Sequence, residues 1–116
     1  QDKTMVFNIS EDEDLEVEKK TPDLEVEKRI TQESALIGEM ISPSYTLKNE
    51  DERVLNNIKL IFPYVPNSLY VDAYEYSIKQ LENGKSITLN DKEKIIFLRN
   101  MKDDVEIPPT IIEFED

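Results

Sequence analysis

Charge is spread unevenly along this chain, and that limits how much of it can pack together. Residues 1–30 hold ten Asp or Glu against five Lys or Arg, and residues 103–116 hold six acids and no base. Residues 31–102 hold ten acids and nine bases, so the net charge of −12 divides as −5, −1 and −6. Like charges repel one another in a compact body, so the near-neutral middle is the expected folded unit. The 116 residues are a single-domain length, and a core of about 70 residues is only marginally stable by itself. The expected division is an acidic extended arm over 1–30, a helical domain over 31–102 and an acidic C-terminal tail over 103–116.

Helices are expected in the middle because its apolar residues recur at helical spacing and its polar residues sit where caps belong. Thr31 is a candidate N-cap for Leu36, Ile37, Met40 and Ile41, with a stop at Ser42-Pro43. Asn49 and the acids Glu50-Asp51-Glu52 open a second helix. Its residues Val54, Leu55, Ile58, Ile61 and Phe62 fall at i, i+1, i+4, i+7 and i+8, one face of a 3.6-residue period. A third helix runs from Asn67 or Ser68 to about Glu82, before Asn83-Gly84. Thr88 and Asp91 have capping-box spacing for a fourth. In it Ile95, Ile96, Leu98 and Met101 form the core, with Phe97 and Arg99 nearer the outside. The expected fold is therefore mainly α, a small domain of three to four helices with extended acidic arms. The alternative is α+β, with the terminal segments paired in a small sheet. A duplication supports that alternative: Asp14-Leu15-Glu16-Val17-Glu18-Lys19 recurs as Asp23-Leu24-Glu25-Val26-Glu27-Lys28, each copy alternating with a period of two.

Cysteine and histidine are both absent. Thiol nucleophiles, disulfides and the commonest general base and metal ligand are absent with them. With two glycines in the whole chain there is no phosphate-cradling loop. The acidic run Glu11-Asp12-Glu13-Asp14 lacks the spacing of a calcium loop. No enzyme, cofactor or metal site is expected. The sequence has no window of eighteen apolar residues and reads as intracellular, cytoplasmic or nuclear. Its acidity disfavours nucleic acid and anionic membranes and favours a partner protein with a basic surface.

Each end carries an apolar strip beside acids: Val6-Phe7-Asn8-Ile9 before Ser10-Glu11, and Ile111-Ile112-Glu113-Phe114 before Glu115-Asp116. Both strips resemble the motif that binds SUMO by strand addition, which implies partner contacts at Val6, Phe7, Ile9, Ile111, Ile112 and Phe114. In the middle, Ile58-Lys59-Leu60-Ile61-Phe62-Pro63 and Val65-Pro66-Asn67-Ser68-Leu69 are similar to the start of a CUE domain, over about residues 54–98. That family is a three-helix ubiquitin-binding module. The resemblance implies contacts at Phe62 and Pro63 and, where the family's last helix carries its di-leucine, at Phe97 and Leu98. The function expected is a non-catalytic protein–protein interaction module or adaptor that docks on a basic partner through acidic and apolar segments. The alternatives are a ubiquitin- or SUMO-binding module, or a viral or phage acidic inhibitor that mimics nucleic acid.

Overall fold

A computed structural model of the chain describes residues 4–6, 14–15, 17–19, 22–30, 32, 34–99 and 105–115. Strands run through these residues and no helix is present among them, which overturns the mainly α expectation and its helical domain over 31–102. The strands are β1 (Thr4–Val6), β2 (Asp14–Leu15), β3 (Val17–Lys19), β4 (Leu24–Arg29), β5 (Ser34–Leu36), β6 (Met40–Ile41) and β7 (Ser44–Asn49). They continue with β8 (Leu55–Ile61), β9 (Ser68–Tyr70), β10 (Glu75–Leu81), β11 (Ser86–Leu89), β12 (Ile95–Phe97) and β13 (Thr110–Glu115).

Two four-stranded sheets, ordered β10-β8-β13-β3 and β11-β7-β4-β2, form a sandwich. All neighbours in them are antiparallel except β13 and β3, which run parallel. Leu24, Tyr45, Leu47 and Leu89 from one sheet meet Leu55, Ile58, Leu60, Ile78, Leu81 and Ile112 from the other in a common core. Burying each of these Leu or Ile side chains contributes about 1.5–3 kcal/mol before chain entropy is counted. The expected acidic tail over 103–116 contains β13, which lies between β8 and β3 with Ile112 fully buried.

The helical spacing of residues 54–62 has a different origin. On β8 the buried residues are Leu55, Ile58 and Leu60, followed by Phe62, while Val54 is exposed. The step of three falls at Asn57, whose φ of 49° puts it in the left-handed region that Asn tolerates. There the ladder with β13 shifts register between Glu113 and Glu115. A β-bulge thus breaks a period of two and makes it look like a period of 3.6. The expected fourth helix divides into β11, a turn with Asp91 at φ 60°, and β12. Its faces reverse as well: Phe97 is fully buried and Leu98 is 55% exposed.

Asn49 and Asn83-Gly84, expected at helix ends, instead hold turns, while Thr88 lies within β11 and Thr31 falls outside the described residues. Asn49 is buried; its Oδ1 accepts from the Asp51 N–H (2.8 Å), and its Nδ2 donates to the Arg53 and Leu81 carbonyls (2.8 and 2.9 Å). Gly84, at φ 76°, donates its N–H to the Asn49 carbonyl (2.8 Å). These bonds fasten the turns after β7 and β10 at one end of the sandwich.

The connections at the other end are long: 30–43 after β4, 62–74 after β8 and 90–109 after β11. Together they build a cap, the three-stranded sheet β6-β12-β9 beside the β1–β5 pair. The cap has its own core of Ile30, Ala35, Ile41, Val65, Ile95, Phe97, Val105 and Ile107. Tyr70 packs against both cores.

Ile58 and Ile95 are fully buried, one in each core. Ile58→Ala and Ile95→Ala should each cost about 2–5 kcal/mol in urea melts; a loss well under that range at both would show the cores to be loosely packed. A second outcome concerns pH. Side-chain and backbone hydrogen bonds from Arg53, then the Asp23 N–H, hold the Asp51 carboxyl well below the usual carboxylate range. A lowered folded-state pKa contributes stability above the unfolded value of 3.8 and loses it as pH falls below that value. The stability gap between the wild type and Asp51→Asn should accordingly close below about pH 4 in acid titrations.

Candidate functional site

Two places gather chemistry: a buried polar ring at the seam between sandwich and cap, and the outer face of the cap sheet. The ring follows from strand parity. On β4 the alternation Leu24, Val26 continues to Lys28 and then Ile30, so the lysine points inward. Tyr45 likewise shares a face with Leu47 on β7, and Glu93 precedes the inward residues Ile95 and Phe97 at the same parity. Lys28, Tyr45, Glu93 and Thr110 are all buried.

The hydrogen bonds of these four groups close on themselves. Lys28 Nζ lies 3.3 Å from Glu93 Oε1 and donates to Thr110 Oγ1 at 2.7 Å. The Tyr45 hydroxyl donates to Glu93 Oε1 and lies 2.6 Å from Thr110 Oγ1. An ammonium has only donors and a carboxylate only acceptors. Thr110 must therefore accept from Lys28 and pass its own proton to Tyr45, which gives its proton to Glu93. The Tyr70 hydroxyl reaches the Pro63 carbonyl and Glu93 Oε2 (3.1 Å). Lys28 also sits 5.4 Å from the Tyr45 ring centre, and Phe62 bridges the Tyr45 and Tyr70 rings at 6.0 and 5.8 Å.

Burial, opposed in part by the Glu93 charge, lowers the Lys28 pKa. Burial first and the Glu93 charge second raise the Tyr45 and Tyr70 hydroxyls, so both stay neutral donors. With its four members sealed from solvent, the ring joins β4, β7 and β13 of the sandwich to the cap segment that carries Glu93. Its chemistry is that of a clamp.

The cap sheet turns the opposite parity outward. Met40, Ile96 and Leu69 lie directly opposite one another across β6, β12 and β9. Leu98, whose N–H donates to the Asn67 carbonyl, extends the row along β12, and Val71, bonded to the Lys94 carbonyl, extends it along β9. Leu36 precedes the Gly38 turn that leads into β6. Nine large apolar side chains are exposed among the described residues, and five of them, Leu36, Met40, Leu69, Val71 and Leu98, belong to this sheet and its hairpin. The charges beside it are the Lys94–Asp72 pair at 2.8 Å, with Glu39 and Arg99 exposed nearby in the chain.

The residues expected to bind partners are scattered through the fold, and only one of them belongs to either place. Phe62 and Phe97 are core residues and Pro63 is half-buried, with its carbonyl bonded to Tyr70. The helices that the CUE resemblance implies around them are strands. Ile112 is fully buried and Phe114 packs partly against the core, so the C-terminal strip is an inner strand with only Ile111 turned outward. Leu98 is the one expected contact on the exposed cap face. Val6 lies on β1, and Phe7 and Ile9 fall outside the described residues. Leu36, Met40, Leu69 and Val71 were missed, as was the ring; continuing each strand's parity through its polar residues would have found the ring. A third feature, a recess of about 290 Å³ lined by Asn56, Asn57, Lys79, Gln80 and Glu115, sits at the bulge.

No protein-family model matches this chain, and no curated protein matches it.

Lys28→Met strands the Glu93 carboxylate in the interior and should cost about 3–5 kcal/mol. Adding Glu93→Gln removes that charge while keeping an acceptor for Tyr45, so the double variant should regain part of the loss. A coupling of about 0.5–3 kcal/mol is expected from the double-mutant cycle in urea; strictly additive losses would show the two groups to act independently.

Proposed function

We propose that this chain is a non-catalytic protein-interaction module that docks on a partner protein with a basic surface. The observation that carries the reading is the cross-strand row Met40–Ile96–Leu69, flanked by Leu98, Val71 and Leu36 on the outside of the cap. A contiguous exposed apolar face with polar neighbours is how protein-binding surfaces differ from scattered surface leucines. The side chains rest on a sheet anchored from below by Ile41, Ile95 and Phe97, so little ordering cost accompanies binding. The basic character of the partner comes from the net charge of −12: acids steer a cationic protein toward the module, while the apolar row supplies the contact that slows release.

The test is an amide-shift titration with a core histone as the basic probe and with ubiquitin and SUMO for comparison. Shifts from the histone should centre on residues 69, 71, 96 and 98, and Leu69→Asp should weaken binding about tenfold, about 1.4 kcal/mol. Because Leu69 is exposed, that variant should fold normally. Shifts confined to β13, or binding indifferent to Leu69→Asp, would remove the cap face from the reading.

A further inference from the structure

β3 and β13 are neighbours and run parallel, with Thr110 opposite Val17 and Ile112 opposite Lys19. Parallel neighbours put the free ends of the two strands at opposite poles. The chain enters β3 at Val17, beside Thr110, and leaves β13 at Glu115, beyond the far end of the pairing. Tension between the segment before β3 and the segment after β13 therefore pulls the two strands in opposite directions along their axes. In that geometry the ladder bonds share the load and must fail together. In a hairpin opened from its ends they fail singly.

We propose that the sandwich is a tension-bearing link, loaded along the line from its β2–β3 end to the C-terminal end of β13. Three features beside the parallel pair resist sliding of β13. Its other neighbour, β8, is antiparallel to it and is also loaded in shear. The bulge at Asn57 and the register shift opposite Glu113–Glu115 form a notch that a sliding strand has to cross. At the trailing end Thr110 is pinned in the interior by Lys28 Nζ at 2.7 Å and by the Tyr45 hydroxyl at 2.6 Å. The N-terminal side is gripped twice, since β2 pairs with β4 in one sheet while β3 pairs with β13 in the other. This role is independent of what binds the cap face.

Single-molecule force spectroscopy on the full chain tests it, and the absence of cysteine makes engineered handles unique. Handles at Glu13→Cys and Asp116→Cys load β3 and β13 in shear and leave the β1–β5 pair outside the load path. Handles at Arg53→Cys and Glu82→Cys load the adjoining ends of β8 and β10, where Leu55 faces Leu81, and peel that hairpin. Forced unfolding reads the barrier in the chosen direction, so the first geometry should rupture at roughly twice the force of the second or more. Val17→Pro and Glu18→Pro, each of which interrupts β3, should lower the first force and leave the second unchanged. Equal rupture forces in the two geometries of the wild-type chain would overturn the proposal, as would a first-geometry force indifferent to both proline variants.

Discussion

The structure depends on bringing one ammonium and one carboxylate into a space that water does not enter. Removing Lys28 and Glu93 from solvent costs several kcal/mol for each ion, and their attraction at 3.3 Å offsets this only when every remaining donor and acceptor is used. The ring meets that condition by direction as well as by distance: each hydroxyl gives one proton and takes one, so Thr110 and Tyr45 relay hydrogen bonds from cation to anion. No member can turn away without stranding its neighbour. Lys28, Tyr45, Thr110 and Glu93 come from four separate segments, so the satisfied ring exists only when both sheets and the cap are in register. A purely apolar seam would tolerate small slips; this one does not.

The expectation of helices failed for a reason visible in individual residues. Ile58 and Leu55 lie three apart because Asn57 is a bulge, and Ile78 and Leu81 on the partner strand repeat the interval. Either pair read alone fits one face of a helix. The cap signals failed differently. Asn, Asp and Gly satisfy backbone groups at helix ends and in tight turns by the same short-range bonds, so Asn49, Asp91 and Asn83-Gly84, expected at helix ends, lie at turns between strands instead. The strands of the cap run to two or three residues, too short for a period to establish itself.

The ring and the exposed cap face are legible only through strand parity, which a helical reading does not follow. In Ile95-Ile96-Phe97-Leu98 the residues alternate inward and outward, so four consecutive apolar residues serve a core and an exposed face at once. The helical reading put Ile95, Ile96 and Leu98 inside and Phe97 outside, whereas the strand buries Ile95 and Phe97 and turns Ile96 and Leu98 outward. The C-terminal acidic strip shows the same division: the Thr110–Glu115 segment resembles a free docking peptide in its residues, yet it is an inner strand whose Glu113 and Glu115 point to solvent while Ile112 faces the core. Charge concentrated near a terminus marked an outward row of side chains, and a strand carries such a row without becoming an arm.

Thr110 is where the strength of the strand and the integrity of the ring become one problem. It is the first residue of β13, it faces β3 across the parallel ladder, and its hydroxyl is the only group in the ring that both accepts from Lys28 and donates to Tyr45. Any displacement of β13 toward its C-terminal end draws that hydroxyl out of the ring. The displacement costs Lys28 one of its two acceptors and Tyr45 its donor while both are still buried, where an unmade hydrogen bond costs most. The resistance is thus greatest at the first step of sliding, before any ladder bond has been exchanged for another. Glu93 carries the same disturbance to Tyr70, whose ring packs against both cores, so the cap cannot remain in place while the sandwich slips. Seam and ladder resist together because one threonine belongs to both.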